Sequence, residues 1–311
     1  MEGSEKIYDL GRKIRDFING TRVKAELLKN KPLFYQLCSC MDMVEDTEVA
    51  IDAFAEKEKP EKGEVYLEIF GLLQALFLQQ DAALHLAEAL EFEVGIDEYP
   101  RLKEIREIRN DAVGHPTKRG NPVRSWNFIV QHRLSYSSFE ILAWHSPEGH
   151  TRTVVKTREI INGQQKYIAE ILEKTFTEVK HRDAEYKSNF KMKKITDTLP
   201  DTMGYWCEKM YSAVSHIDEL NLGEFGATSA QNALKRFEEE LASRGITIDT
   251  YPGIGLTFSE LKYPLEKLQD HFSSAVRLEE EAAYIFVDFV RIKLKELKKM
   301  ADELDSEFNG E

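Results

Sequence analysis

Cysteine is scarce in this chain, three in 311 residues, and Cys38, Cys40 and Cys207 form an odd set. Cys38 and Cys40 stand one residue apart without a companion pair, so they do not complete a structural zinc site and are expected to be reduced thiols. Long hydrophobic runs are missing too. The richest stretch, Val65 to Leu78, is interrupted by Glu68, Gly71 and Gln74, which leaves nothing of the length needed to span a bilayer. The opening Met-Glu-Gly-Ser-Glu-Lys has no apolar core of a secretory signal, and a cytoplasmic location is the expectation. There is no phosphate-cradling glycine loop; Tyr251-Pro252-Gly253-Ile254-Gly255 reads as a loop with too few glycines for a nucleotide-binding pattern. His145 and His150 flank the turn at Pro147-Glu148-Gly149 but lack an evident third ligand, so no metal and no other cofactor is expected.

Basic charge is in short supply overall and concentrated where it occurs. The chain is 42% hydrophobic and 31% charged, as a globular protein is, and long enough for one large domain or two ordinary ones. Its net charge of −13 argues against a nucleic-acid ligand, because affinity for phosphate comes mainly from Lys and Arg. The distribution reverses part of that inference. Residues 1–100 carry 11 basic against 21 acidic side chains and residues 195–311 carry 12 against 23, whereas residues 101–194 carry 19 against 11. The middle third therefore offers a footprint for a polyanion. Glu238-Glu239-Glu240 and Glu279-Glu280-Glu281 are expected on solvated helix faces, with partner binding or restraint of the basic region as their possible use.

Apolar spacing of three and four residues predicts helices over 4–18, a short segment before Lys31-Pro32, then 32 to about 58, 64–93 and 100–114. Glu58-Lys59-Pro60-Glu61-Lys62-Gly63 is a charged turn. The helix at 64–93 is so apolar that most of its sides must be covered, as at the centre of a bundle. Between 125 and 157 the period shortens to alternation, which predicts two or three antiparallel strands around the turn Ser146-Pro147-Glu148-Gly149. A long helix follows to about 192. Asp197 to Gly204 reads as a linker, and three helical patterns lie beyond it, near 203–221, 228–244 and 257–307. The expected domains are thus 1–194, with a core over 32–192, and a helical region over 195–311.

The stretch Ile105 to Pro116 holds the chemistry. Arg109 and Asn110 sit near a helix end, Gly114 suits the left-handed residue that closes a helix, and Pro116 keeps His115 out of α space. On an unbroken helix, positions six apart are rotated by roughly 120°; a stop between them lets Arg109 and His115 converge. A guanidinium and an imidazole around one phosphate suit RNA cleavage by the ribose 2′-hydroxyl, with His115 moving the proton, Arg109 stabilising phosphoryl charge and Asn110 adding a hydrogen bond or fixing the imidazole. Asp111 either neutralises or orients the arginine. Lys118, Arg119 and Arg124 are candidate phosphate contacts, with His132 and Arg133 weaker ones. Trp126, Phe128, Tyr136 and Trp144 either stack on splayed bases or cover a core.

The Arg-Asn-x(4)-His pattern at 109–115 resembles the Arg-x(4–6)-His signature of the HEPN superfamily, over roughly residues 32–190. The resemblance implies a mainly α fold: a HEPN-like helical bundle, here with a small antiparallel β excursion and a helical C-terminal extension. It also implies a metal-independent endoribonuclease acting on RNA as a homodimer whose site is completed by two copies of the motif, in the manner of toxins or phage-defence effectors, with a regulatory protein partner possible. The alternative is a noncatalytic HEPN-like module that binds a partner protein, a nucleotide or RNA. The C-terminal third, without an evident site, suits an interaction surface.

Overall fold

The computed structural model describes residues 2–56, 62–117, 125–145 and 149–309. It is mainly helical, with ten α-helices and one three-stranded sheet among the described residues. Parts of the charged turn at 58–63 and of the turn at 146–149 lie outside the described residues. The chain divides into two compact units, 1–181 and 182–311. The division falls inside a helix, ahead of the boundary expected at 194.

In the first unit α1 (Glu2–Asn19) buries Ile7, Leu10, Ile14 and Ile18 along one stripe. Next come α2 (Thr21–Leu28), α3 (Lys31–Glu56) and α4 (Lys62–Ala89), then α5 (Pro100–Arg109), whose first turn Pro100 opens without forfeiting a helical hydrogen bond. Helix α4 is buried on most of its circumference, as its composition requires. Strands β1 (Ser125–Ile129), β2 (Ser138–His145) and β3 (Gly149–Lys156) form an antiparallel sheet in the order β1-β2-β3, with Trp126 opposite Trp144 and Trp144 opposite His150. The strand expectation over 125–157 is met, although Gln131–Arg133 forms a separate turn after β1, so His132 and Arg133 are not strand residues. Phe139, Ile141 and Val155 carry one face of the sheet into the core, and α6 (Thr157–Ser188) adds Ile160, Ile168, Ile171 and Leu172.

That core is not purely apolar. Gln79, Gln80, Gln164 and Glu48 are wholly buried. The amide of Gln79 donates to Glu48 at 2.6 Å, that of Gln165 to its other oxygen at 2.6 Å, that of Gln164 to Gln79 at 3.0 Å and that of Gln80 to Gln164 at 2.8 Å. Burial pushes the Glu48 carboxyl above its ordinary value, against the donated hydrogen bonds.

The second unit is built on α7 (Met203–Ser215), α8 (Leu220–Ser243), α9 (Pro252–Phe272) and α10 (Glu280–Asn309). Small residues let α7 and α8 close up; a Cβ on Gly226 would sit 2.5 Å from the Trp206 carbonyl oxygen. Four expectations are corrected here. The pattern over 257–307 is two helices, parted where Ser274 takes a φ of 64°. The loop expected at 251–255 opens α9, with Pro252 in its first turn. The linker expected at 197–204 is anchored: Ile195 and Leu199 are fully buried, and the Asp305 carboxylate accepts the Ile195 and Thr196 backbone N–H groups at 2.8 and 3.0 Å. Glu240 is not solvated but buried against Arg244 and Lys193. No helix among the described residues is long and apolar enough to cross a membrane.

Candidate functional site

Helix α5 does not end in the expected left-handed glycine. Asn110–Gly114 widen into a π turn closed by the His115 N–H donating to the Asn110 carbonyl at 2.8 Å, a local feature that often marks functional sites. Gly114 does not have positive φ. Its lack of a side chain matters for another reason: a Cβ there would lie 2.7 Å from Arg109 Nη1 and 3.3 Å from Asn110 Oδ1. The guanidinium thus reaches forward along the turn and rests against the residue that precedes His115. His115 itself, at φ −140° and ψ 49°, has left α space as its following proline demands, and its side chain is exposed rather than buried under either sheet tryptophan.

Arg109 is held by neutral groups. Its Nε and Nη2 donate to Gln74 Oε1 at 3.3 and 2.8 Å, its Nη1 donates to Asn110 Oδ1 at 3.2 Å, and its plane lies 4.4 Å from the centre of the Phe77 ring. One turn earlier Arg106 lies 5.0 Å from the same ring, but it donates to Gln80 at 2.7 Å and forms an ion pair with Asp81. Two arginines therefore share one aromatic support. Arg106 is compensated by a carboxylate, whereas among the described residues Arg109 meets only amide oxygens. A half-buried guanidinium so placed keeps its charge and two directed N–H groups for an anion.

Asp111 turns away from Arg109. Its carboxylate accepts from Asn127 Nδ2 at 3.0 Å, and the Asn127 backbone N–H donates to the Pro116 carbonyl at 2.7 Å, so β1 grips the motif at both ends of the turn. Burial raises the Asp111 carboxyl, opposed by the Asn127 hydrogen bond and by the charge of His145. His145, on the same side of the sheet as Asn127, shares a hydrogen bond with Thr151 Oγ1 at 3.1 Å. His150 is on the opposite side by register, so the two histidines do not converge on one ion, and no group of three metal-ligating side chains occurs among the described residues.

Of the residues read from sequence, the structure brings together Arg109, Asn110 and the backbone leading to His115. Lys118, Arg119 and Arg124 lie outside the described residues. Tyr136 is a core residue: its ring stacks on Phe54 at 4.1 Å and its hydroxyl donates to the Phe54 carbonyl. Sequence reading missed Gln74, Phe77 and Asn127. The signal for Gln74 was its interruption of the richest apolar run; Phe77 follows it by three residues, on the same helix face. In the second unit a cleft of about 400 Å³ is lined by Cys207, Tyr211, Asp288 and Arg291. Burial pushes the Cys207 thiol up to about 11, which disfavours the thiolate form.

Comparison with protein-family models, with curated proteins and with solved structures found no match to this chain.

Proposed function

We propose that the chain is a metal-independent endoribonuclease resembling HEPN enzymes, acting in the cytoplasm as a homodimer. The observation that carries this reading is the Arg109 guanidinium, which among the described residues meets only amide oxygens, laid against Gly114 beside an exposed His115. In the proposed reaction the ribose 2′-oxygen attacks its own 3′-phosphorus while an imidazole takes the hydroxyl proton. The bond from phosphorus to the 5′-oxygen breaks, that oxygen leaves as a hydroxyl after receiving a proton, and a 2′,3′-cyclic phosphate remains. Arg109 stabilises the charge on the non-bridging oxygens, and Asn110 holds one edge of the guanidinium. With two copies of the motif at one phosphate, one imidazole serves as base and the other as acid. Use as a toxin or phage-defence effector follows from the resemblance alone.

The test is incubation of the purified protein with total RNA in the presence of chelator. Cleavage is expected to persist with chelator and to disappear in Arg109→Ala and in His115→Ala. Full activity in either variant would remove the proposal. RNA or protein binding without cleavage would instead favour the noncatalytic module.

A further inference from the structure

The sheet has two unlike faces. Asn127, Phe139, Ile141 and Val155 point toward the motif and the core and are buried. The other face, by register, carries Trp126, Phe128 and Trp144 on β1 and β2, beside His150, Arg152 and Lys156 on β3. Phe128 is 56% exposed and Trp144 51%. The Trp144 and His150 rings are nearly parallel, 11° apart in plane with centres 6.0 Å apart. Arg152 and Lys156 are also open to solvent, Lys156 in an exposed ion pair with Glu159 at 2.8 Å of the weak kind that a phosphate can displace. Glu140, the acid in these rows, is buried and engaged by Arg152 at 3.3 Å. Trp126 and Phe128 on β1 and Trp144 on β2 thus share one open surface with the cations of β3, where Val154 stands between Arg152 and Lys156.

From this juxtaposition we propose that the outer face of the sheet binds single-stranded RNA, with bases stacked on Trp144, Phe128 and Trp126 and phosphates along His150, Arg152 and Lys156. Trp126 and Phe128, two residues apart on β1, are separated by about 6.8 Å, two rises of about 3.4 Å, and Trp144 lies across from Trp126 on β2, so three rings border one surface for unstacked bases. Aromatic stacking accepts any base, and the adjoining cations follow the backbone. The cations beside the rings complement a polyanion, and pairing of this face with a second copy of this chain is an outcome that the sedimentation measurement below detects. The surface lies on the side of the sheet opposite the motif. It would hold RNA that the Arg109 centre cuts, and the choice of RNA as occupant rests on the ribonuclease reading.

The experiment uses the full chain and a fluorescent single-stranded oligonucleotide of about twelve nucleotides, within the site sizes of such surfaces, made with 2′-O-methyl ribose. Such a strand lacks the attacking hydroxyl, so binding is read independently of cleavage. The wild type is expected to bind with quenching of tryptophan fluorescence. Phe128→Ala with Trp144→Ala is expected to weaken binding by at least about tenfold, while Trp144→Phe retains most of it. Arg152→Gln with Lys156→Gln is expected to lower the salt dependence by roughly two released counterions. Failure of the wild type to bind, unchanged affinity in the aromatic variant, or a change of oligomeric state in that variant by sedimentation would each overturn the proposal. Binding to this face while unmodified RNA stays intact would sink the nuclease reading and leave this one standing.

Discussion

Two arginines on aromatic rings, one in each unit, show the same side chain held in two different ways. Arg244 in the second unit is fully buried, with its guanidinium 5.0 Å from the Phe190 ring and 4.8 Å from the Phe308 ring. Glu240 accepts from it at 3.2 Å, Asp305 stands 4.0 Å away, and the Lys193 carbonyl accepts a further hydrogen bond. Arg109 in the first unit has a similar aromatic support but stays half-buried, and its described partners are neutral amides. Where carboxylates close around a guanidinium, the charge is spent inside the fold. Where only amides hold it, geometry is fixed without a countercharge, which is what the proposed site requires.

The sharpest way to break that contrast is to replace each arginine by methionine, which keeps the stem and deletes the charge. Arg244→Met leaves Glu240 and Asp305 buried beside a lost partner and is expected to destabilise the second unit by about 3–5 kcal/mol, read as lost amide-exchange protection in α8 and α10. Arg109→Met frees only Gln74 and Asn110, for a loss of about 1 kcal/mol. Its effect is expected on RNA cleavage, a fall of about 100- to 1000-fold. Equal destabilisation by both changes, with cleavage lost only in proportion to unfolding, would collapse the distinction.

How far the sequence foretold this contrast depends on the range of the interactions. Most helix positions followed from three- and four-residue apolar spacing, and the strands from alternation, because both patterns are local, whereas the break between α9 and α10 left no such signal. The motif was legible as Arg109, Asn110 and His115 because a glycine and a proline punctuate it. The role of Gly114 was misread: the sequence suggested a backbone angle, and only the fold shows that a neighbouring guanidinium occupies the space of a side chain. Glu240 was assigned to solvent because a run of glutamates says nothing of an arginine four residues on that is itself buried. Gln79, Gln80, Gln164 and Gln165 pair with one another and with Glu48 across up to 117 residues, a separation at which spacing rules have no purchase.

Gly114→Ala probes the same arginine without touching it. The new Cβ, 2.7 Å from Nη1, meets the far end of a flexible side chain, so the guanidinium must move while the turn survives. Stability should change by about 1 kcal/mol or less, since alanine favours a helical turn over glycine by roughly that amount. Cleavage should drop by about ten- to a hundredfold, in line with the sensitivity of catalysis to small misplacements. Undiminished cleavage would show that the close approach of Arg109 to this turn is not used.

The smallest effects are expected from acid and base, and they should carry opposite signs in the two units. Burial holds the Glu48 carboxyl above its ordinary value, so the proton is bound more tightly in the folded than in the unfolded chain. Its stabilising contribution is complete below the unfolded-state value and is lost as pH rises through the raised one. His271 is buried in the second unit, with its Nδ1 accepting the Leu278 N–H at 3.0 Å, and burial together with Arg277 lowers its affinity for a proton. Its contribution is complete above the unfolded-state value of the imidazole and is lost as pH falls through the lowered one. Amide exchange measured across that range in each unit should therefore show opposing slopes from these two groups. Glu48→Gln should remove the first while sparing the second, and His271→Gln the reverse. If neither substitution altered its own unit's profile, the buried amide network around Glu48 and the neutral imidazole of His271 would not be the source of the pH dependence.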